Sequence, residues 1–323
     1  MKQSTYYYLL RRGVIGGGGS KGLLDTYTGA AAAYSLRKLS SDYSGNAITV
    51  TTDGVDSQDI GFSGSNLDTA ALESFAGSGD AYVSTWFDQS GNSRNFTQGT
   101  FANMPKIVSS GSTITQNSKP IVEFDGSTRY MDISSQQTFS DEFFMTFAIR
   151  PTSNANAFGS LLNGQGTAQN RVRIYENRTT EINVKGIIFT QPLGWDIGTY
   201  TNYTIERGAS DAIKQYFYGT EHSSDSRSVN WALLFRLGGN ETATSTESLH
   251  AQVSEMIFWN TDESSNRVAI ESNIRSFYSI SSSAPTQPQA DINSFVSRVE
   301  TDGGSVLGGS CLLTDVTFLT TNP

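Results

Sequence analysis

Tyr82 to Gln98 reads YVSTWFDQSGNSRNFTQ, and in it Trp86 and Phe87 run straight into Asp88, Gln89, Ser90, Gly91 and Asn92. An aromatic face can stack on the C–H face of a sugar ring while nearby carboxylates and amides take its hydroxyls. Trp86, Asp88, Gln89 and Asn92 are therefore candidate sugar ligands. Trp195, in the loop-like QPLGWDIG, and Trp231 are further stacking candidates. The same stretch has a second reading. A strand over Val83–Phe87 must turn Trp86 or Phe87 inward, and Asp88, Ser90 and Asn92 are residues that tie a tight Gly91 turn by side-chain to backbone bonds.

Other chemistries find less material. Asp53, Asp56 and Asp59 in TTDGVDSQD are oxygen ligands that could surround Ca²⁺, but without the spacing of a calcium loop they read as turn acids. His222 and His250 read as a loop residue and the start of a strand, and Cys311 is alone, so neither a Cys/His metal set nor an internal disulfide is expected. The Asn-x-Thr triplets are what chance gives in a chain this rich in Asn and Thr. A net charge of −9 with no Lys/Arg run beyond Arg11–Arg12 argues against nucleic acid. No apolar run approaches a membrane span, and no signal peptide or cofactor is expected.

The elements that would position these residues are mostly strands. The chain has 323 residues, 37% hydrophobic and 16% charged, with 31 glycines, a composition suited to short strands joined by polar turns. Alternation predicts strands at Ala47–Thr51, Pro120–Phe124, Phe143–Ile149, Val172–Tyr175, Ile182–Val184, Tyr203–Ile205, Gln215–Tyr218, Ala232–Leu237 and Val253–Trp259, each sheet keeping one wet face. The spacing of Leu36, Leu39 and Tyr43 predicts a helix before Gly45. A second helix follows Asp68 as cap, with Leu67 and Leu72 as a staple and Gly77 past its end. A third carries Arg267, Ile270, Ile274 and Phe277 on one stripe.

The expected fold is mainly β: an antiparallel jelly-roll sandwich over residues 23–280. Residues 1–22 form an arm with a glycine joint, Gly16–Gly19. Tyr6, Tyr7, Tyr8, Leu9 and Leu10 could dock into a partner; the alternatives are a strand completing its own domain or an engineered linker. Residues 281–290 have linker composition. Residues 291–323 are a small helix and strand tail, too short to bury a core alone.

Two segments carry a resemblance. SLHAQVSEMIFWNTDESSNRVAIESNIRSFYS, with Glu255 in the strand, and KPIVEFDGSTRYMDI resemble the closing and opening parts of concanavalin A-like, laminin-G-type domains. LLDTYTGAAAAYSLRKLSSDYSGNAITV and the stretch ending WFDQSGNSRNFTQ resemble the catalytic domain of family 54 α-L-arabinofuranosidases, and more closely a group of phage virion proteins sharing this block. SFVSRVETDGG in the tail also resembles segments of those phage proteins.

The enzyme resemblance implies a retaining glycosidase, which needs two carboxyls about 5–5.5 Å apart. It places the nucleophile at Glu176 and the acid just after Gly238–Gly239, where this chain has Asn240. An asparagine cannot donate and recover a proton. Glu241 follows, but on a strand it would face the other way, and the family's adjacent cysteine pair is missing. The expectation is thus a phage virion structural protein, of tail or head, without enzymatic activity. It is anchored to other virion proteins through residues 1–22, is homo-oligomeric, and has host surface glycan as a candidate ligand. The alternatives are an arabinofuranosidase-like hydrolase using Glu176 and Glu241, and a free carbohydrate-binding module.

Overall fold

The computed structural model describes residues 21–281 apart from 134–136, 140–141, 154–157, 165–170, 176–179, 185–186, 192–196, 209–211, 227–230, 234–235 and 240–246. Tyr6–Leu10, Glu176, Trp195, Asn240, Glu241 and the expected tail lie outside the described residues, as does all of the linker except Ser281.

Strand pairing is antiparallel throughout, and the expected jelly-roll sandwich is what forms. Ala81–Trp86 belongs to both of its arms. One arm runs from Ser57–Ile60 through Ile48–Thr51, Ala81–Trp86, Lys106–Ser109, Val122–Asp125, His250–Trp259, Phe143–Pro151, Thr201–Arg207 and Ala212–Phe217 to Thr220–Ser226. Ala32–Ser35 continues the edge of His250–Trp259 beyond Val122–Asp125. The other arm passes from Ala81–Trp86 to Phe96–Thr97, Met131–Ile133, Arg236–Leu237, Phe158–Asn163, Arg171–Tyr175, Thr180–Val184 and Ile187–Gln191.

The period of two decides what lies between the arms. Met131, Leu237, Leu162, Val172 and Ile182 are register partners in one row and all are fully buried. Tyr34 meets rings from both arms, Phe96 at 4.5 Å and Phe258 at 6.3 Å between centroids. Gly238, at φ +91°, lies so close to Phe124 that a Cβ there would sit 2.5 Å from the Phe124 ring.

The helix expected after Asp68 forms as Thr69–Ala76. Asp68 accepts from the Ala71 amide at 3.0 Å, and Gly77 closes it at φ +61°. The closing helix forms as Arg267–Tyr278 and buries Ile270, Ile274 and Tyr278. It packs on the Phe143–Pro151 and Thr201–Arg207 strands. Thr201–Arg207 is therefore buried on both faces and carries a polar layer: Asn202 donates to Thr146 at 2.9 Å, and Thr146 and Thr204 bond each other at 3.1 Å. The expectation of one wet face fails here because a helix covers it.

Two expectations on local structure are corrected. No helix forms over Leu36–Tyr43. Leu36 and Leu39 are buried in irregular chain whose backbone groups are taken by distant partners: Leu39 N–H by Gln89 Oε1 at 2.9 Å and Leu39 C=O by Leu24 N–H at 2.8 Å. Arg37 instead reaches Glu255, with Nε–Oε2 at 2.7 Å and Nη2–Oε1 at 2.8 Å, and this pair is buried. Ser35 and Tyr278 hydroxyls complete Glu255 at 2.7 and 3.1 Å, joining strand, ladder and helix in one polar node. His222 lies in the Thr220–Ser226 strand, not in a loop.

Candidate functional site

The Asp88–Asn92 turn is a clasp. Asp88, 5% exposed, accepts from the amides of Ala33 (2.8 Å), Ser90 (2.9 Å) and Arg94 (3.0 Å) and from the Ser90 hydroxyl (2.9 Å). Gln89 donates to Ser35 and Arg37 carbonyls and accepts from Leu39, which uses its amide fully. Asn92 donates to the carbonyls of Ala30 and Ala31. Gly91 sits at φ +88°, which a Cβ would strain. Burial, with the Asp88 charge adding to it, pushes the nearby Tyr34 phenol well above its ordinary range.

Trp86, Asp88 and Gln89 face inward, while Asn92 is exposed. Trp86 is completely buried, its ring edge-on to Tyr34 at 6.5 Å, so it offers no face to a sugar. Gln89 spends its amide on the Ser35–Leu39 segment, and Asp88 divides its carboxylate between Ala33 and its own turn at Ser90 and Arg94. The second reading of the stretch, core tryptophan plus tied turn, describes it. The three aspartates do not converge either. Asp53 bonds the amides of Val55 and Asp56 in its own turn, and Asp59 takes Asn46 and Thr49. Among the described residues no group of His, Cys, Asp or Glu could hold a metal ion.

A different set of residues is brought together on the face opposite the buried row, across strands of both arms. One residue from the buried row just described, the register aligns Asp59, Thr49, Thr85, Thr97, Asp132, Arg236, Asn163, Arg171 and Asn183 across the sheet. At its centre Arg236 grips Asp132 with both prongs, Nε–Oδ1 at 2.6 Å and Nη2–Oδ2 at 2.9 Å. The Arg236 guanidinium stacks 3.9 Å over the Tyr130 ring. Asn163 is 5% exposed beside it. Two residues along, Ser160 opposes Arg173, and Arg173 bonds Glu247. Gly238 and Gly239 follow the Arg236–Leu237 strand in sequence.

Chemically this face sets the partly exposed Tyr130 ring and the Thr85 and Thr97 hydroxyls around a guanidinium and an amide that are themselves largely buried, Arg236 being 7% and Asn163 5% exposed, so a polyhydroxy compound would meet the ring and hydroxyls first and the buried pair at their edges. Both oxygens of Asp132 are occupied by Arg236, and Glu247 is engaged by Arg173. Sequence reasoning missed these residues. Their alternation in SLLN, RVRIY and TEINV was readable, but which polar residues stand side by side depends on a register that no single strand encodes.

No family model and no curated protein matches the sequence. Solved structures do. A Glu-to-Gln mutant of a GH54 α-L-arabinofuranosidase soaked with 4-nitrophenyl α-L-arabinofuranoside superposes with a TM-score of 0.60 at 16% identity, over 80% of this chain and 65% of that one. An arabinofuranosidase complexed with arabinofuranosyl-α-1,2-xylobiose matches with a TM-score of 0.60 at 17% identity, over the same shares. This chain thus spans about two thirds of the length of those enzymes. The likeness is one of fold: the chain is a jelly-roll β-sandwich similar to that of GH54 arabinofuranosidases.

Proposed function

We propose that this chain is a non-catalytic glycan-binding sandwich, carried on a phage particle by residues 1–22, that recognises host carbohydrate through the outer face centred on Arg236. The observation that carries the binding reading is the Asp132–Arg236–Asn163 row with Tyr130 stacked on its guanidinium. Its side chains are held by bidentate bonding and stacking before any ligand arrives, which lowers the ordering cost of binding. The fold likeness to enzymes whose structures hold arabinofuranosides is consistent with a sugar as ligand. The virion placement rests on the sequence resemblance and the aromatic, glycine-jointed arm. The absence of catalysis rests on Asn240 standing where the resemblance expects an acid.

A glycan array probed with the full chain tests the binding reading. Specific binding by wild type that is lost in Arg236→Ala and Asn163→Ala supports it, and no binding to any glycan refutes it. Deleting residues 1–22 tests the placement: the truncated sandwich stays folded and fails to enter particles, and normal incorporation refutes docking. The competing hydrolase reading, favoured by the same fold likeness, requires turnover of an arabinofuranoside reporter that disappears in Glu176→Gln.

A further inference from the structure

Behind the Asp88–Asn92 clasp lies a cavity of about 190 Å³, lined by Leu24, Thr28, Gly29, Ala30, Ser40, Gln89 and Ser90. From this cavity we infer a second ligand site, separate from the Arg236 face, that takes a single neutral polyhydroxy ring such as a monosaccharide.

Size sets the first limit. An apolar cavity of about 150 Å³ takes up benzene, so this one admits one six-membered ring, while drug-sized ligands need about 300 Å³ or more. The lining sets the second. None of its side chains is charged, Leu24 supplies an apolar patch, and of its three hydroxyls Ser90's is held by Asp88 and Asn92 and Ser40's by Asp25 and Asp42, so Thr28 carries the free one. That combination accepts hydroxyls and C–H faces but offers no counter-ion, so a charged ring would be desolvated without compensation. Access is open, because Thr28 and Gly29 are exposed at the rim.

The walls are fixed from several directions. Trp259 Nε1–H holds the Thr28 carbonyl at 3.2 Å, Asn92 holds that of Ala30 at 3.0 Å, and Ser40 donates to Asp25 at 2.7 Å. Gln89 is locked by its three backbone bonds and serves as wall. The Thr28 hydroxyl, by contrast, has no hydrogen-bond partner among the described residues, which leaves it to a ligand. The clasp that looked like a binding motif in the sequence thereby shapes a binding cavity without contributing its carboxylate.

Saturation-transfer NMR on the intact chain tests this, with L-arabinose and D-galactose as neutral rings and D-galacturonate as the charged control. The expected result is transfer to both neutral rings with Kd on the order of 1 mM, a typical weak single-ring affinity, and none to galacturonate. Thr28→Trp, which fills the cavity from its exposed rim, abolishes the signal. Thr28→Val weakens binding roughly three- to tenfold, the worth of one hydrogen bond. Absence of transfer in wild type, equal transfer to galacturonate, or a signal that survives Thr28→Trp overturns the inference.

Discussion

Replacing Asp88 tests whether the WFDQSGN stretch holds the fold or awaits a ligand. Its carboxylate accepts four hydrogen bonds, three of them from backbone amides that have no other partner nearby. A bond to a charged group contributes about 1.5–3 kcal/mol. The amides of Ser90 and Arg94 are only partly buried, and bonds to one carboxylate are not additive. Asp88→Ala should therefore cost about 3–5 kcal/mol, below the roughly 6–12 kcal/mol that simple addition of four such bonds would give. Asp88→Asn is the sharper variant. Its carbonyl oxygen can still serve Ala33 and Ser90, and the Ser90 hydroxyl can turn to accept from the new amide. Only the Arg94 N–H is left facing a donor, so the loss should be about 1–3 kcal/mol. Urea unfolding followed by circular dichroism reads this directly. With m of about 3 kcal/mol/M, Asp88→Ala lowers the midpoint by about 1–1.7 M at unchanged m. A midpoint indistinguishable from wild type would refute the clasp and return Asp88 to the list of ligands.

Three further outcomes follow from the same geometry. Glu255→Gln leaves the Arg37 charge buried without its partner and should cost about 3–5 kcal/mol by urea melts, whereas Arg37→Met with Glu255→Leu recovers most of that loss. Trp86→Ala should cost about 3–5 kcal/mol as a core truncation. Trp86→Phe, which also removes the buried Nε1–H that lacks a partner, should cost clearly less. Burial pushes the Glu206 carboxyl above its ordinary 4.5, against the opposing pull of the Tyr216 hydroxyl and Arg267. A carboxyl raised on folding contributes stability below its unfolded value and loses it as pH climbs through the folded value. Glu206→Gln should thus gain on wild type as pH rises above about 4.5 in pH-dependent melts, and a flat difference would contradict the burial argument.

Much of this molecule can be read one strand at a time. Alternation marks Phe143–Pro151 and His250–Trp259, Asp68 and Gly77 bracket a helix, and Ile270 and Ile274 mark another, because these signals are local and each is satisfied by its own segment. Leu36, Leu39 and Tyr43 mislead for the opposite reason. Their helical spacing is real, but Gln89 and Leu24 claim the backbone of Leu39, and Glu255 claims Arg37, from 50 residues away or more in the case of Gln89 and Glu255. The candidate face escaped notice on the same ground. Asp132, Arg236 and Asn163 are neighbours only through strand pairing, and nothing in the local sequence of MDI, RL or SLLN announces the others.

Glycan binding by the full chain, compared between wild type and Arg236→Ala with folding verified by circular dichroism, probes the central claim most directly. Specific binding by wild type that falls at least about tenfold in the variant, the loss of roughly 1.4 kcal/mol, is the predicted result. Equal binding by the two proteins, or none by either, would contradict it.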